Sequence, residues 1–335
     1  MIITKTPFRM SFFGGGTDIP EFFKENSGSV ISTTFDKYCY VNVRHLPRFF
    51  DYSTELTYSR SEKVSNIDDI QHPVIRNAMK YLDMQEIRLT YEADLPARSG
   101  LGTSSAFAVG MLNAFYALKG KYVDKRKLAT EAIYLERELC QELGGWQDQI
   151  AAAYGGLNRI NFNAEGYEVL PIIISPERKK QLNDRLLMYF TGFTRFSSEI
   201  QKANNITIKE KRNQLKEILK LVDDAEQVLV DQGADLDDFG RLLDQTWKLK
   251  RRTGRKVSTA TIDMIYEQAI KAGALGGKLL GAGGGGFFVF YVQPDKIDSV
   301  KKIMDKLLYI PFKFENSGTR IIHYTPEIYI PKTKY

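Results

Sequence analysis

The chain has 335 residues, 43% of them hydrophobic and 26% charged, with a formal net charge of +6. That balance belongs to a soluble globular protein and excludes disorder, a collagen-like fibre and a short disulfide scaffold. The mild basic excess suits anionic ligands such as nucleotides and sugar phosphates, and equally suits weak nucleic-acid affinity or no specific partner.

The length predicts about two domains. Cys39 and Cys140 are too few for a disulfide framework, which points to a reducing compartment. The sequence opens with no signal-peptide pattern, and no apolar run approaches the ~18 residues of a membrane span. An intracellular, cytoplasmic protein with no membrane partner is expected.

Strands are predicted at 38–43 and 87–91 from their alternating apolar residues. The stretch 104–118 is apolar on almost every side, which predicts a buried central helix, with hydroxyls to cap its start and Lys119-Gly120 to stop it. Over 125–143, Leu128, Ala132, Leu135, Leu139 and Leu143 form one helical stripe. A strand at 169–174 and a segment at 186–191 bracket a junction near 182, dividing the chain into 1–182 and 183–335. The second part reads as helices at 198–232, 236–250 and 261–272, a glycine-rich turn, a strand at 287–292, a helix at 295–308 and closing strands. Two α+β halves are the expected architecture.

Three glycine-rich segments are candidates for phosphate contact. Gly281-Ala-Gly-Gly-Gly-Gly286 fits G-x-G-x-x-G, but a strand follows it where a dinucleotide site needs a helix. Gly276-Gly-Lys278 imitates the end of a Walker A motif, with Leu279 where a magnesium-binding hydroxyl belongs. Asp238-Phe-Gly240 imitates a protein-kinase motif whose companions are missing. The segment Pro96-Ala-Arg-Ser-Gly-Leu-Gly-Thr-Ser-Ser-Ala106 is different. Two glycines and three hydroxyls precede a buried helix, so free N–H groups and the positive helix end can meet an anion. A capped helix start alone would explain the hydroxyls but not both glycines.

Lys248-Leu-Lys-Arg-Arg-Thr-Gly-Arg-Lys256 is the densest basic stretch. It reads as a solvated helix end, as a clamp for a substrate phosphate, or, least well, as an RNA contact lacking interleaved aromatics.

Together with Pro7-Phe-Arg-Met-Ser-Phe-Phe-Gly-Gly-Gly-Thr-Asp18 and Lys278-Leu-Leu-Gly-Ala-Gly-Gly-Gly-Gly-Phe287, the 96–106 loop completes an ordered set. The set resembles the three motifs of the GHMP kinases, the superfamily of galactokinase, homoserine kinase, mevalonate kinase and phosphomevalonate kinase. The segments 145–156, 190–195 and 247–287 are most similar to one branch, the D-glycero-D-manno-heptose 7-phosphate kinases. The loop departs from the common G-L-x-S-S-A by one extra residue before Ala106; aligned from the left, Ser104 takes the functional serine position.

The resemblance implies an α+β fold: a nucleotide-binding N-terminal domain with a left-handed βαβ unit, and a ferredoxin-like C-terminal domain. It implies ATP and Mg²⁺, with Arg98, Ser99, Gly100, Leu101, Gly102, Thr103, Ser104 and Ser105 at the nucleotide. Glu136, a carboxylate on the apolar face of its helix, needs a partner such as a cation or a buried donor. The resemblance makes it a magnesium ligand with Ser104. Asp148 is either a helix cap or, by resemblance, the group that accepts the proton of the attacking hydroxyl, beside a phosphate-neutralising Arg9.

For the sugar, the resemblance implies Gly15, Gly16, Thr17 and Asp18. Trp146, Gly283 and Gly284 are further candidates, with packing as their plainer role. Arg251, Arg252 and Lys256 are candidates for a substrate phosphate. The implied reaction converts heptose 7-phosphate into the 1,7-bisphosphate for nucleotide-activated heptose. Fucose, galactose or mevalonate as acceptor, or a non-catalytic sugar-binding role, are the alternatives. No nucleic-acid partner is expected, and the sequence leaves monomer and homodimer open.

Overall fold

A computed structural model of the chain describes residues 1–47, 49–97, 99–192, 208–254, 257–281 and 283–328. Its helices in chain order are α1 (Pro20–Asn26), α2 (Pro73–Tyr81), α3 (Thr103–Leu118), α4 (Lys125–Tyr134), α5 (Gln147–Tyr154) and α6 (Pro176–Asp184). There follow α7 (Ile208–Val230), α8 (Asp237–Arg252), α9 (Ala260–Lys271) and α10 (Ile297–Ile303).

Among the described residues nine strands form the first sheet around two long ones, β1 (Ile2–Phe13) and β2 (Gly28–His45). On one side β2 is followed by β5 (Ile87–Ala93), β3 (Thr54–Thr57) and β4 (Ser61–Val64). Its first half also pairs with β6 (Leu157–Asn163), which carries β7 (Gly166–Pro171). The helix α3 lies on β1. Every one of its residues except Ser104 is buried, and a Cβ at Gly110 would stand 2.6 Å from Thr6 Oγ1, so glycine lets the helix settle on the strand.

The second sheet has, among the described residues, four strands in the order β11 (Leu308–Ile310), β8 (Leu186–Phe190), β10 (Phe287–Val292), β9 (Ala274–Leu279), every pair antiparallel. Helices intervene between β8 and β9 and between β10 and β11. This is the ferredoxin-like βαββαβ arrangement that the resemblance implied. Trp247, fully buried, meets Tyr266 and Phe288 in the core between α8, α9 and this sheet. The chain then returns to the first sheet, where β12 (Phe314–Glu315) pairs with β2 and β13 (Arg320–Tyr324) with β1. The closing strands of the 183–335 segment thus add to the first sheet.

Helices expected at 104–118, 236–250 and 261–272 are present within two residues of those limits. The one expected at 198–232 is described from Ile208; its start, like 193–195 of the 190–195 segment, lies outside the described residues. The helix expected over 125–143 is corrected. α4 ends at Tyr134, a π-helical turn spans Leu135–Leu139, and Gln141 takes a left-handed φ of 53°. Leu143, expected on the buried stripe, is 47% exposed. The helix expected at 295–308 shrinks to α10, and the strand at 169–174 shifts to β7. Among the described residues no helix is long and apolar enough to cross a membrane.

Candidate active site

The 96–106 loop is shaped by what its glycines touch. Gly100 and Gly102 have φ of 83° and 70°, where a side chain brings strain. A Cβ on Gly100 would lie 2.4 Å from the Leu280 carbonyl oxygen; on Gly102 it would meet Arg9 Cγ at 3.2 Å and Asp148 Cβ at 3.4 Å. The loop is therefore held between the Leu280–Gly281 turn and the Arg9–Asp148 pair. No side chain caps α3, because the preceding residue is Gly102. The hydroxyls expected to cap it go elsewhere, leaving a positive helix end open to an anion.

Two of those hydroxyls, Ser104 and Ser105, bind Glu136. Ser104 Oγ donates to its Oε1 at 3.1 Å, Ser105 Oγ to its Oε2 at 2.6 Å, and Gln149 Nε2 to Oε2 at 2.5 Å. Glu136 is 3% exposed and sits in the π-helical turn, a local irregularity often met at functional sites. Burial pushes its carboxyl up to about 7, against the donated hydrogen bonds, and the Glu142 charge adds to the rise.

Arg9, on β1, reaches Asp148 in the first turn of α5. Its Nε and Nη2 lie 2.8 and 2.7 Å from Asp148 Oδ1, and its Nη1 donates to the Gly100 carbonyl at 2.7 Å. Among the described residues Asp148 Oδ2 takes no hydrogen bond. The cap of α5 is Trp146, so Asp148 is not the helix cap.

Asp18 is buried, with Oδ1 accepting from the Gly16 N–H at 2.8 Å and Oδ2 from the Gln147 N–H at 3.4 Å. Burial and the Asp148 charge raise its carboxyl above the ordinary range, and the two N–H groups oppose that. A Cβ at Gly145 would stand 1.7 Å from Asp18 Oδ2, so glycine is required there.

All of this opens into one cavity of about 1020 Å³. Of the residues expected from the sequence, Arg9, Gly15, Gly16 and Asp18 line it from one side. Gly100, Gly102, Thr103, Ser104, Ser105, Glu136 and Asp148 complete that group.

Others lie apart from the lining. Ser99 and Leu101 are fully buried beneath the loop, the latter's carbonyl accepting from the Arg9 N–H at 3.2 Å. The Thr17 hydroxyl donates to the carbonyls of Gly14 and Ser29, which makes it a brace for the turn. The Trp146 ring packs against Phe23, with ring centres 4.8 Å apart. Gly283 and Gly284 pack on Val257, where a Cβ at Gly283 would lie 2.7 Å from a carbonyl oxygen. Arg251 pairs with Asp263 at 2.9 Å, and Arg252 borders a separate groove with Lys220 and Asp224. Arg98 and Lys256 lie outside the described residues.

Two lysines that sequence reasoning missed face the cavity instead. Lys250 donates to the Gly281 carbonyl, and Lys278, 2% exposed, donates to the Phe12 carbonyl at 2.9 Å. Burial and the Arg9 charge pull the Lys250 ammonium down to about 8; burial, Lys250 and Arg9 pull Lys278 well below its ordinary value. Lys250 extends the buried face of α8 marked by Leu243, Thr246 and Trp247, and that spacing could have identified it. Tyr58, His72, Tyr91 and Phe107 also line the cavity, their rings meeting edge to face at 4.7–5.5 Å. Gly276–Lys278 lies in β9 and Asp238–Gly240 in α8, so neither imitation motif forms the structure that its chemistry would need.

Residues 71–156 match the family model of the GHMP kinases N terminal domain, and residues 223–310 that of the GHMP kinases C terminal region. The chain is 30% identical to the D-glycero-alpha-D-manno-heptose 7-phosphate kinase of Campylobacter jejuni, over 95% of this chain and 98% of that one. It is 26% identical, over 90% of its length, to the L-fucokinase/L-fucose-1-P guanylyltransferase of Bacteroides fragilis, of which it spans 35%. In fold it is similar to a D-glycero-D-manno-heptose 1-phosphate kinase from Bacteroides thetaiotaomicron. That match has a TM-score of 0.78 at 23% identity, over 98% of this chain and 100% of that one. A mevalonate kinase matches with a TM-score of 0.72 at 20% identity, over 95% and 100%.

Proposed function

The chain belongs to the GHMP kinase family, and on that premise we propose that this ATP-dependent sugar kinase phosphorylates the anomeric hydroxyl of D-glycero-D-manno-heptose 7-phosphate. The product is the 1,7-bisphosphate, a precursor of nucleotide-activated heptose. One observation carries the reading: a single cavity joins the start of α3, where Gly102 offers no side-chain cap, to a carboxylate, Asp148, whose second oxygen is unengaged among the described residues. The heptose 7-phosphate kinase relative, matched over nearly both full lengths, favours the acceptor.

In this reading the ATP phosphates lie against the N–H groups at Gly102–Ser105, and the adenine lies among Tyr58, His72, Tyr91 and Phe107. Asp18, fixed by the Gly16 N–H, and the Gly15 backbone beside it hold sugar hydroxyls. Asp148 takes the proton of the anomeric hydroxyl. That oxygen bonds to the γ-phosphorus, and the bond from phosphorus to the bridging oxygen breaks with its electron pair leaving on ADP. Arg9 orients Asp148 and ties it to the loop through Gly100.

The donor set of Glu136 and Ser104 fits a magnesium ion. It is all hard oxygen, a lone carboxylate beside a hydroxyl, and such ions complete their shell with phosphates and water. Bound there, the ion would neutralise phosphate charge. Lys211, partly buried at the cavity wall near Gly16 and Leu215, replaces Arg251 and Arg252 as the candidate for the acceptor's phosphate.

ADP release with Mg-ATP tests the acceptor, across heptose 7-phosphate, heptose 1-phosphate, unphosphorylated heptose, fucose, galactose and mevalonate. The expected result is substantial turnover with heptose 7-phosphate alone. Equal turnover with the neutral sugars, or preference for the 1-phosphate, would overturn it.

A further inference from the structure

Three cations converge where Arg9, Asp18 and Asp148 meet: Arg9 itself, Lys250 and Lys278. They are not equally free to meet a substrate. The Arg9 guanidinium is committed through Nε and Nη2 to Asp148 and through Nη1 to the Gly100 carbonyl. Lys278 is held within the fold, bonded to the Phe12 carbonyl.

Lys250 differs from both. It projects from the last turn of α8 into the cavity, and the bond it makes is to the Gly281 carbonyl. Among the described residues no carboxylate lies within ion-pair distance of it. A partly buried ammonium at the cavity wall, with a carbonyl as the partner seen among the described residues, is incompletely compensated, and an incoming anion would complete its surroundings.

The anchor fixes where that anion sits. Gly281 is pressed against the phosphate loop: a Cβ on Gly281 would lie 2.4 Å from Gly100 Cα. Gly100 in turn accepts from Arg9, which holds Asp148. The Lys250 ammonium therefore stands beside the phosphate loop, in the same cavity lining as the Asp148 carboxylate.

We propose that Lys250 is a catalytic residue supplied by the C-terminal half of the chain, its ammonium binding the γ-phosphoryl oxygens of ATP during transfer. The proposal rests on the kinase reading of the cavity but not on which sugar is the acceptor. As the acceptor oxygen bonds to phosphorus and ADP departs with the electrons of the broken bond, the equatorial oxygens keep their negative charge. A fixed cation there stabilises the transition state without reorganising.

The test uses the full chain with K250M, which keeps the apolar stem, and K250R, which keeps the charge. ATP and ADP binding are measured by calorimetry without acceptor, and kcat and KM with the acceptor that the wild type turns over best. K250M should lose about tenfold in ATP affinity with ADP affinity within about twofold, and about 100-fold or more in kcat. K250R should recover most of the preference for ATP over ADP. Equal weakening of ATP and ADP, or a rise confined to the acceptor's KM, would overturn the proposal. Circular dichroism melts check folding, and K250Q carries the same comparison if K250M fails to fold. Should no sugar in the panel turn over, the heptose reading falls, while the ATP-to-ADP ratio still decides the role of Lys250.

Discussion

Ser105 Oγ lies 2.6 Å from Glu136 Oε2, so the first turn of the buried helix α3 is tied directly to the π-helical turn that follows α4. The bond brings a carboxylate into the protein beside the open helix start, and it has a consequence for stability.

Burial lifts the Glu136 carboxyl from the ordinary 4.5 to about 7. The folded state therefore holds a proton that the unfolded chain has released between those values. Its contribution is favourable below pH 4.5 and is lost as pH rises to 7, a change of roughly 3 kcal/mol at ~1.4 kcal/mol per pH unit. Glu136→Gln removes this dependence. In metal-free protein, the stability of the variant relative to wild type should climb by about that amount from pH 4.5 to 7.5, measured by urea unfolding. A difference that stays flat with pH would contradict the burial argument.

Gly100 has two constraints at once, a left-handed φ of 83° and a carbonyl oxygen 2.4 Å from where a Cβ would stand. Gly100→Ala should cost about 1–3 kcal/mol of stability and weaken ATP binding, because the loop must leave Gly281. Gly120→Ala is the control: its φ is 66° but its missing side chain faces open space. It should lose only the conformational part, about 1 kcal/mol, and leave ATP binding unchanged in calorimetry.

Asp148→Asn retains the size of the side chain and removes its proton affinity. Single-turnover kinetics should show at least a 100-fold slower transfer, with ATP affinity within a few-fold of wild type. A variant that transfers at the wild-type rate would remove Asp148 from the reaction.

Lys250 faces Arg9, Lys278, Asp18 and Asp148, and its ammonium is pulled down to about 8. Loss of that proton removes the cation, so kcat/KM for ATP should fall above about pH 8. In K250R the charge persists, and this alkaline limb should move up by at least one pH unit. An unshifted limb would assign it to another group.

Much of this site was legible from residue types. Gly100 and Gly102 before a run of hydroxyls pointed to the loop that lines the cavity, whereas Asp148 was reached through the family resemblance. The apolar run that became α3, and the strand following Gly281–Gly286, followed from patterning alone. The return of β12 and β13 to the first sheet did not, because pairing with β1 and β2 spans almost the whole chain. Nor could charge density choose among the basic residues at 248–252. Arg251 turns to Asp263, while Lys250 shares the buried face of Trp247. Glu136 was reached by helical phase, yet the helix changes to a π turn at Leu135, and Leu143 on the same expected stripe is half exposed at the cavity wall. Thr17 and Trp146 show the opposite error, polar and aromatic groups next to a site that the turn and the core claimed first.

The central claim, that phosphoryl transfer takes place between the start of α3 and Asp148, is tested most directly by a crystal structure with a non-hydrolysable ATP analogue, magnesium and heptose 7-phosphate. The account predicts the γ-phosphate against Gly102–Ser105 and Lys250, with the anomeric oxygen within hydrogen-bond reach of Asp148 Oδ2. A triphosphate bound away from that loop, or a sugar whose anomeric oxygen points away from Asp148, would contradict it.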